Sequence, residues 1–372
     1  MSLLATMLPI LEGRRPPQSI LEWSVALALR PLGSVYGWIG ALRERLYQQN
    51  LLTTHIPPCP VISIGNLVSG GTGKTPMTLW LVRRLLEMGW KPAVVSRGYG
   101  HHSQETVTVV SDGVGQPLAP PMAADEATFL AERLPGVPVL CSRRRHKAIT
   151  LAHDLLNCNL VVLDDGFQHL AVARHLDILL LDGQHPWGNG RLLPAGVLRE
   201  PITALSRAHV AIITRCSDPA LAQPLLATLN TMAPNLPVLL ADHRPIGWRL
   251  LGQGVADPPN GRLLAFCGIA RPDSFLLSLQ QANMQVTSQH TFDDHHPYTS
   301  NEIAQLAAQA RQEGASALVC TAKDAVKLRY LSCELPIYYL EVDLFFPQGA
   351  QPLLEEINRR LSPPPSSVEN QP

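Results

Sequence analysis

The chain carries no net charge: across its 372 residues, 30 Lys plus Arg offset 30 Asp plus Glu. A polyanionic partner such as nucleic acid draws on a surplus of basic side chains, so the composition gives no basis for one. Lysine itself is scarce. Five lysines stand beside 25 arginines, and one of the five is Lys74. No CxxC pair occurs among the seven cysteines (59, 141, 158, 216, 267, 320 and 333), and an odd number cannot all pair within one chain. They read as buried thiols in a reducing compartment. No apolar run approaches the roughly 18 to 20 residues that span a bilayer, and Arg14 and Arg15 follow the first apolar patch instead of preceding it, the reverse of a signal peptide. The expectation is a cytoplasmic protein and, at this length, one with two domains.

Residues 1–50 form an N-terminal amphipathic region. The run "ILEWSVALALRPLGSVYGWIGALRERLY" (20–47) repeats apolar residues at Leu21, Val25, Leu29, Leu32, Tyr36, Ile39, Leu42 and Leu46, with Arg30, Arg43 and Arg45 beside them. That spacing predicts one helix, or a pair broken at Pro31. Two uses are open: packing on the protein's own core, or lying on an anionic membrane with Trp23, Tyr36 and Trp38 at headgroup depth. Over 51–190 the apolar strands "CPVISIGNL", "KPAVVSRGYG" and "LVVLDDGFQH" alternate with helical stretches such as "PMTLWLVRRLLEMGW". This predicts an α/β, P-loop NTPase-like domain on a parallel sheet, with its site at the carboxyl ends of the strands. Residues 191–205 lie in the Gly- and Pro-dense "DGQHPWGNGRLLPAGVLREP" and are the expected interdomain connection. Strands at "HVAIIT", "LPVLLA", "RLLAFCG" and "SALVCT" then predict a second, smaller α/β domain over 206–350. The polar, proline-rich 362–372 predicts a disordered tail.

The chemistry concentrates in "SIGNLVSGGTGKTPMTLWLV" (63–82). Gly70, Gly71, Thr72 and Gly73 give a loop whose amides can curl round a phosphate, at the positive end of the following helix. Lys74 is placed to reach the β and γ phosphates, and the Thr75 hydroxyl to bind Mg²⁺. The first glycine of the phosphate-loop pattern is absent, since Val68 stands there and must take an extended conformation. Asp164 and Asp165 close an apolar strand in the Walker B manner, and would deliver a carboxylate to the metal. Guanine-reading N-K-x-D or T-K-x-D is missing: no lysine is followed by Asp two residues later, and "TAKDAVKL" (321–328) has the wrong order. The nucleotide expected is therefore ATP.

The motifs "GNLVSGGTGKTP", "VVSRGYG", "DEA" (125–127), "VVLDDGFQH", "GNGRLLPAGVLREP", "FDDHHPY" and "TAKDAVKL" appear in an order that resembles the tetraacyldisaccharide 4'-kinases, the lipid A 4'-kinase family of Gram-negative bacteria, over about residues 20–345. An absent first glycine is typical of that family's loop. The resemblance implies transfer of the ATP γ-phosphate to the 4'-hydroxyl of an acylated glucosamine disaccharide 1-phosphate, giving lipid IVA. It also implies a peripheral enzyme at the cytoplasmic face of the inner membrane, with no obligate protein partner. In similar enzymes the base is the Asp of the Asp-Glu pair, here Asp125, oriented by the first His after the Asp of "DDHHPY", here His295. The doubled histidine leaves His296 as the alternative. Ala124 and Ala127 depart from the Gly and Pro usual around that acidic pair. Arg199 and Glu200 fall in the family's substrate-and-nucleotide region, and Gln168 follows the acidic strand end. One of Arg143, Arg144 and Arg145 is expected to meet phosphate. Lys323 and Asp324 read equally as nucleotide neighbours or as an ion pair at a helix start.

A phosphate loop and strand-end acids also suit a P-loop ligase or synthetase, which hands phosphate to a carboxylate, and a non-catalytic nucleotide switch, which has no use for Asp125. Transfer to a lipid disaccharide separates these readings.

Overall fold

The computed structural model describes residues 3–98, 106–120, 122–269, 271–294 and 296–361. Two sheets organise it. The first has eight strands: β1 (Val61–Asn66), β2 (Pro92–Ser96), β3 (Thr108–Ser111), β4 (Val139–Cys141), β5 (Leu160–Asp164), β6 (Leu176–Asp182), β7 (Val210–Thr214) and β8 (Val238–Leu240). Their order is β3-β4-β2-β5-β1-β6-β7-β8, parallel except for β3 at one edge. Strands β1, β5, β6 and β7 are buried along their whole length, in keeping with their Val/Ile/Leu-rich sequences where helices cover both faces. The second sheet has six: β9 (Asp242–Leu250), β10 (Gly254–Ala256), β11 (Arg262–Cys267), β12 (Gln285–Thr291), β13 (Ala317–Thr321) and β14 (Ile337–Phe345), in the order β10-β9-β14-β13-β11-β12.

Helices α1 (Leu3–Leu11), α2 (Ile20–Gln48), α3 (Lys74–Glu87), α4 (Asp125–Arg133), α5 (Arg145–Asp154) and α6 (Pro219–Met232) belong with the first sheet. Helices α7 (Pro272–Gln281), α8 (Ser300–Gln312) and α9 (Ala322–Ala325) belong with the second, and α10 (Gln351–Arg360) ends the described chain.

Two boundaries differ from the sequence expectation. Strands β7 and β8, placed by sequence in the second unit, complete the first sheet, so residues 191–205 do not separate the two sheets. The crossing comes at β8 to β9, residues 240–242. An apolar strand pairs with whichever edge is open, and the edge of β6 lies within reach of β7. The chain then returns. Leu353 and Ile357 of α10 join the first sheet's core with Met77 and Leu81 of α3, so the second unit is an insertion into the first. The 362–372 tail lies outside the described residues.

Helix α2 is one unbroken element, with Pro31 inside it on an exposed stretch where solvent can replace the hydrogen bond its ring removes. Ser19 and Glu22 form a capping box at its start. Against the expectation of no membrane-length run, its 29 residues are long and apolar enough to cross a bilayer by length and composition. Scattered Arg, Gly and Ser interrupt the run in sequence without making the helix polar. Gly33 and Gly37 set the helix against the 190s loop, because a Cβ on either would come within 3.0 Å of Leu192. An ion pair from Glu44 to Arg207 (2.9 Å) ties down its far end. All seven cysteines are free thiols and six are buried; burial pushes Cys59 up to about 12, far from reactive thiolate.

Candidate active site

Strand β1 runs into the glycine loop, and the loop into α3. Val68 forms an antiparallel bridge with Leu198, and Ser69 donates its amide to Val197 O at 2.6 Å. The missing glycine is thereby explained: the loop opens from an extended segment paired to the 190s loop, where a β-branched residue is at home. Gly73, at the N-cap of α3, has φ +86°, which a side chain would strain. Thr72 is buried, and among the described residues its hydroxyl has no hydrogen-bond partner. Thr75 sits half-buried in the first turn of α3. Lys74 Nζ lies 3.4 Å from Asn66 Oδ1 and 3.5 Å from Asp165 Oδ1. A buried orphan hydroxyl, a helix N-terminus and a lysine in one loop fit a polyphosphate.

The acidic pair divides its work. Asp164, the last residue of β5, is buried and accepts from Thr78 Oγ1 at 3.0 Å. Burial, then the charges of Glu126 and Asp165, push its carboxyl up to about 6. Asp165 follows in left-handed backbone (φ +53°) and takes Arg199 Nη1 at 2.9 Å on both carboxylate oxygens. Burial works against its charge, but Lys74 and Arg199 hold it below the usual range. Of the three candidate arginines, Arg145 is buried and donates to the carbonyls of Asp164 (3.3 Å) and Asp165 (2.9 Å), while Arg143 and Arg144 are exposed. Gln168 Nε2 donates to Asn66 O (2.8 Å) and to Glu200 Oε2 (3.4 Å), and Glu200 pairs with Arg207 at 2.5 Å.

Among the described residues, no group of three or more His, Cys, Asp or Glu side chains is set to hold a metal unaided. The donors still suit Mg²⁺. A hydroxyl and two carboxylates, one of them a buried acid with other acids for neighbours, favour a hard cation that takes its remaining ligands from phosphate and water.

The start of α4, with α9 of the second unit packed against it, supplies the opposite wall. Asp125 is the first residue of α4, and Lys327 Nζ lies 3.9 Å from its Oδ2. Lys323 Nζ, on α9, lies 3.0 Å from Glu126 Oε1 and 3.9 Å from Asp294 Oδ1. Asp324 is turned inward: it is fully buried, its carboxylate accepts from Thr321 Oγ1 at 2.6 Å and from the Gly268 amide at 3.2 Å, and its own amide is capped by the Thr321 hydroxyl at 3.1 Å. Lys323 is therefore the member of that pair brought to the cleft. His295 lies outside the described residues. His296 is committed elsewhere, with Nε2 3.0 Å from Glu302 Oε1 in the capping box of α8 and its ring stacked on Phe292 at 4.6 Å.

Sequence reasoning missed Asn66, Thr78 and Lys327. Lysine scarcity was the available signal for Lys327, since three of the chain's five lysines (74, 323 and 327) converge on this cleft. Asn66 and Thr78 carried none, because their roles depend on β1 and α3 meeting β5.

The model of the tetraacyldisaccharide-1-P 4'-kinase family matches residues 25–361. The tetraacyldisaccharide 4'-kinase of Desulfotalea psychrophila is 40% identical over 313 residues, 83% of this chain and 89% of that protein. The one from Geobacter metallireducens is 38% identical over 345 residues, 91% of this chain and 100% of that protein. A crystal structure of LpxK from Aquifex aeolicus in complex with ATP superposes with a TM-score of 0.72 at 27% identity, covering 91% of this chain and 99% of that one.

Proposed function

The chain belongs to the tetraacyldisaccharide-1-P 4'-kinase family, and from that premise we propose that it transfers the γ-phosphate of ATP to the 4'-hydroxyl of tetraacyldisaccharide 1-phosphate, forming lipid IVA in lipid A biosynthesis. One observation carries the mechanistic reading. Helix α3, opened by the phosphate loop and Lys74, packs against α4, which begins at Asp125 and Glu126.

Loop amides 70–73 and Lys74 bind the β and γ phosphates and stabilise the charge that spreads over the transferring group. Thr75, Asp164 and Asp165 would hold Mg²⁺, which when bound neutralises charge on the phosphates. Arg199 fixes the orientation of Asp165, Arg145 fixes the backbone of both acids, and Gln168 and Glu200 brace the floor below them. Asp125 takes the proton from the sugar hydroxyl as its oxygen bonds to phosphorus, and the bond to the β-bridging oxygen breaks, leaving ADP. His295 orients Asp125. The engagement of His296 with Glu302 favours His295 for that role.

The acceptor carries four acyl chains and stays in its bilayer, so the enzyme works at the membrane surface, peripherally, on the cytoplasmic face where ATP is found. Helix α2 is the docking element. Its contacts with the body near Gly33, Gly37, Arg43 and Glu44 lay it along the protein, while Ile20, Trp23 and Trp38 are 87%, 54% and 68% exposed. Incubation with labelled ATP, Mg²⁺ and detergent-dispersed tetraacyldisaccharide 1-phosphate tests the reading. Label on the lipid is the expected result. Phosphate released without labelled lipid would point to a switch, and label on a carboxylate acceptor to a ligase.

A further inference from the structure

The back of the phosphate loop rests on the end of β7. Loop amides that turn inward to meet phosphate turn the carbonyls of the same peptides outward, and an outward carbonyl pressed against protein needs a donor. Two adjacent residues supply donors here. Thr214 Oγ1 donates to Thr72 O at 2.9 Å, and the Arg215 guanidinium donates to Gly71 O.

Arg215 is built in at a cost. Its backbone is left-handed, with φ +56°, a conformation that residues with a Cβ keep only where the surroundings enforce it. The enforcement comes from Asp182, the buried last residue of β6. One Asp182 oxygen takes the Arg215 guanidinium together with Arg271 Nη2 (3.0 Å) from the start of α7, and the other accepts the amides of Gln184 (2.9 Å) and His185 (3.2 Å). A carboxylate held on both oxygens gives Arg215 a fixed anchor. With glycine at 70, 71 and 73, the loop has little stiffness of its own, and ordering it on ATP binding costs conformational entropy unless something has ordered it beforehand.

We infer that Arg215, anchored by Asp182, is a positioning residue that pre-shapes the phosphate loop for ATP by fixing the Gly71 peptide with its carbonyl outward. The inference rests on the assignment of the loop to ATP, and the test separates the two.

Binding of Mg·ATP is measured by calorimetry without lipid, alongside steady-state kinetics with both substrates and melting without nucleotide. Two variants are compared. Arg215→Gly removes the guanidinium and also relieves the left-handed backbone, while Arg271 and two amides still hold Asp182. Arg215→Lys keeps a cation that can serve Gly71 O. The expected result is a Kd for Mg·ATP raised at least about tenfold in Arg215→Gly and recovered to within about threefold in Arg215→Lys, with the KM for lipid within about twofold of wild type in both. Wild-type ATP affinity in Arg215→Gly overturns the inference. So does a parallel rise in both KM values, or failure of both variants to fold, each of which marks Arg215 as merely structural. If Arg215→Gly alone fails to fold, Arg215→Lys decides the matter: an unchanged lipid KM with ATP affinity lowered by a small factor upholds the inference, and any other pattern overturns it. Absence of ATP binding by the wild-type protein would instead refute the nucleotide assignment.

Discussion

Lys323 Nζ at the start of α9 lies 3.0 Å from Glu126 Oε1 at the start of α4, joining the second sheet to the first one residue from Asp125. The pair is partly buried, and its lysine lies within reach of Asp294 as well. Burial alone would lower the pKa of Lys323, but Glu126 and Asp294 together hold it above the usual value. Its charge is therefore present throughout the working range. Lys323→Ala leaves two acids facing each other near Asp125 and loosens the wall that carries it. The expected outcome is a kcat lowered roughly 10-fold to 100-fold, the scale of a misplaced reacting group. ATP affinity, measured separately, should hold within a few-fold, and a loss confined to ATP binding would move Lys323 to the nucleotide side.

Lys74 and Asp125 should fail in different ways. Lys74→Ala removes a cation from the transferring phosphoryl group and is expected to lower turnover by roughly 10³-fold or more. Asp125→Asn keeps the shape at the α4 N-terminus and should lower kcat by about 10² to 10⁴ while Mg·ATP binds normally. Calorimetry beside the kinetic assay distinguishes them. Near-normal turnover in Asp125→Asn would remove Asp125 from the role of base.

The phosphate loop, its strand and its helix could be read from local pattern, because "GGTGKT" between an apolar run and a 3.6-residue period is complete within 20 residues. The acidic pair was legible for the same reason. What pattern could not supply was partnership across the chain. Arg199 reaches Asp165 over 34 residues, Lys323 reaches Glu126 over 197, and Thr214 serves a loop 142 residues upstream. The insertion of the second sheet was invisible too. A parallel strand such as β7 carries the same Val/Ile signature in either sheet, so only the edge that accepts it decides its place.

Asp164 gives the metal-free protein a pH signature. Its folded-state pKa, about 6, stands above the ordinary 3.8, so folding favours the protonated form. That contribution is fully present below about 3.8 and is lost as pH rises through 6. A shift of about two units, with the Thr78 bond already included in it, corresponds to roughly 3 kcal/mol at most. In EDTA, Asp164→Asn should therefore be more stable than wild type at pH 8, by up to about 3 kcal/mol, and the difference should close near pH 4. Urea denaturation at the two pH values measures it. Mg·ATP should stabilise the wild type at pH 8 and fail to stabilise Asp164→Asn. Equal stabilities across the pH range would mean that Asp164 is not charged against its surroundings.

The last prediction concerns the exposed face of α2. Burying a CH₂ in a bilayer is worth about 0.8 kcal/mol, so a four-chain acceptor does not leave the membrane for a dissolved site, and on the proposed reading the protein brings its cleft to the lipid. On α2, Trp23, Leu27 and Trp38 are 54%, 60% and 68% exposed and share one side of the helix, whereas Leu29, on another side, is half-buried. The residues that face outward are the ones to change, since they contribute little to the body's packing. Gly33 and Gly37, which seat the helix on Leu192, stay as they are. Replacing Trp23, Leu27 and Trp38 together with serine should release the protein from anionic vesicles in a sedimentation assay and raise the apparent KM for lipid by about tenfold or more. The Kd for Mg·ATP and the melting temperature should be unchanged, because neither the loop nor the core is touched. A triple variant that still sediments with the vesicles would place the docking surface elsewhere on the molecule, and one that melts early would show that these side chains serve the fold and not the membrane.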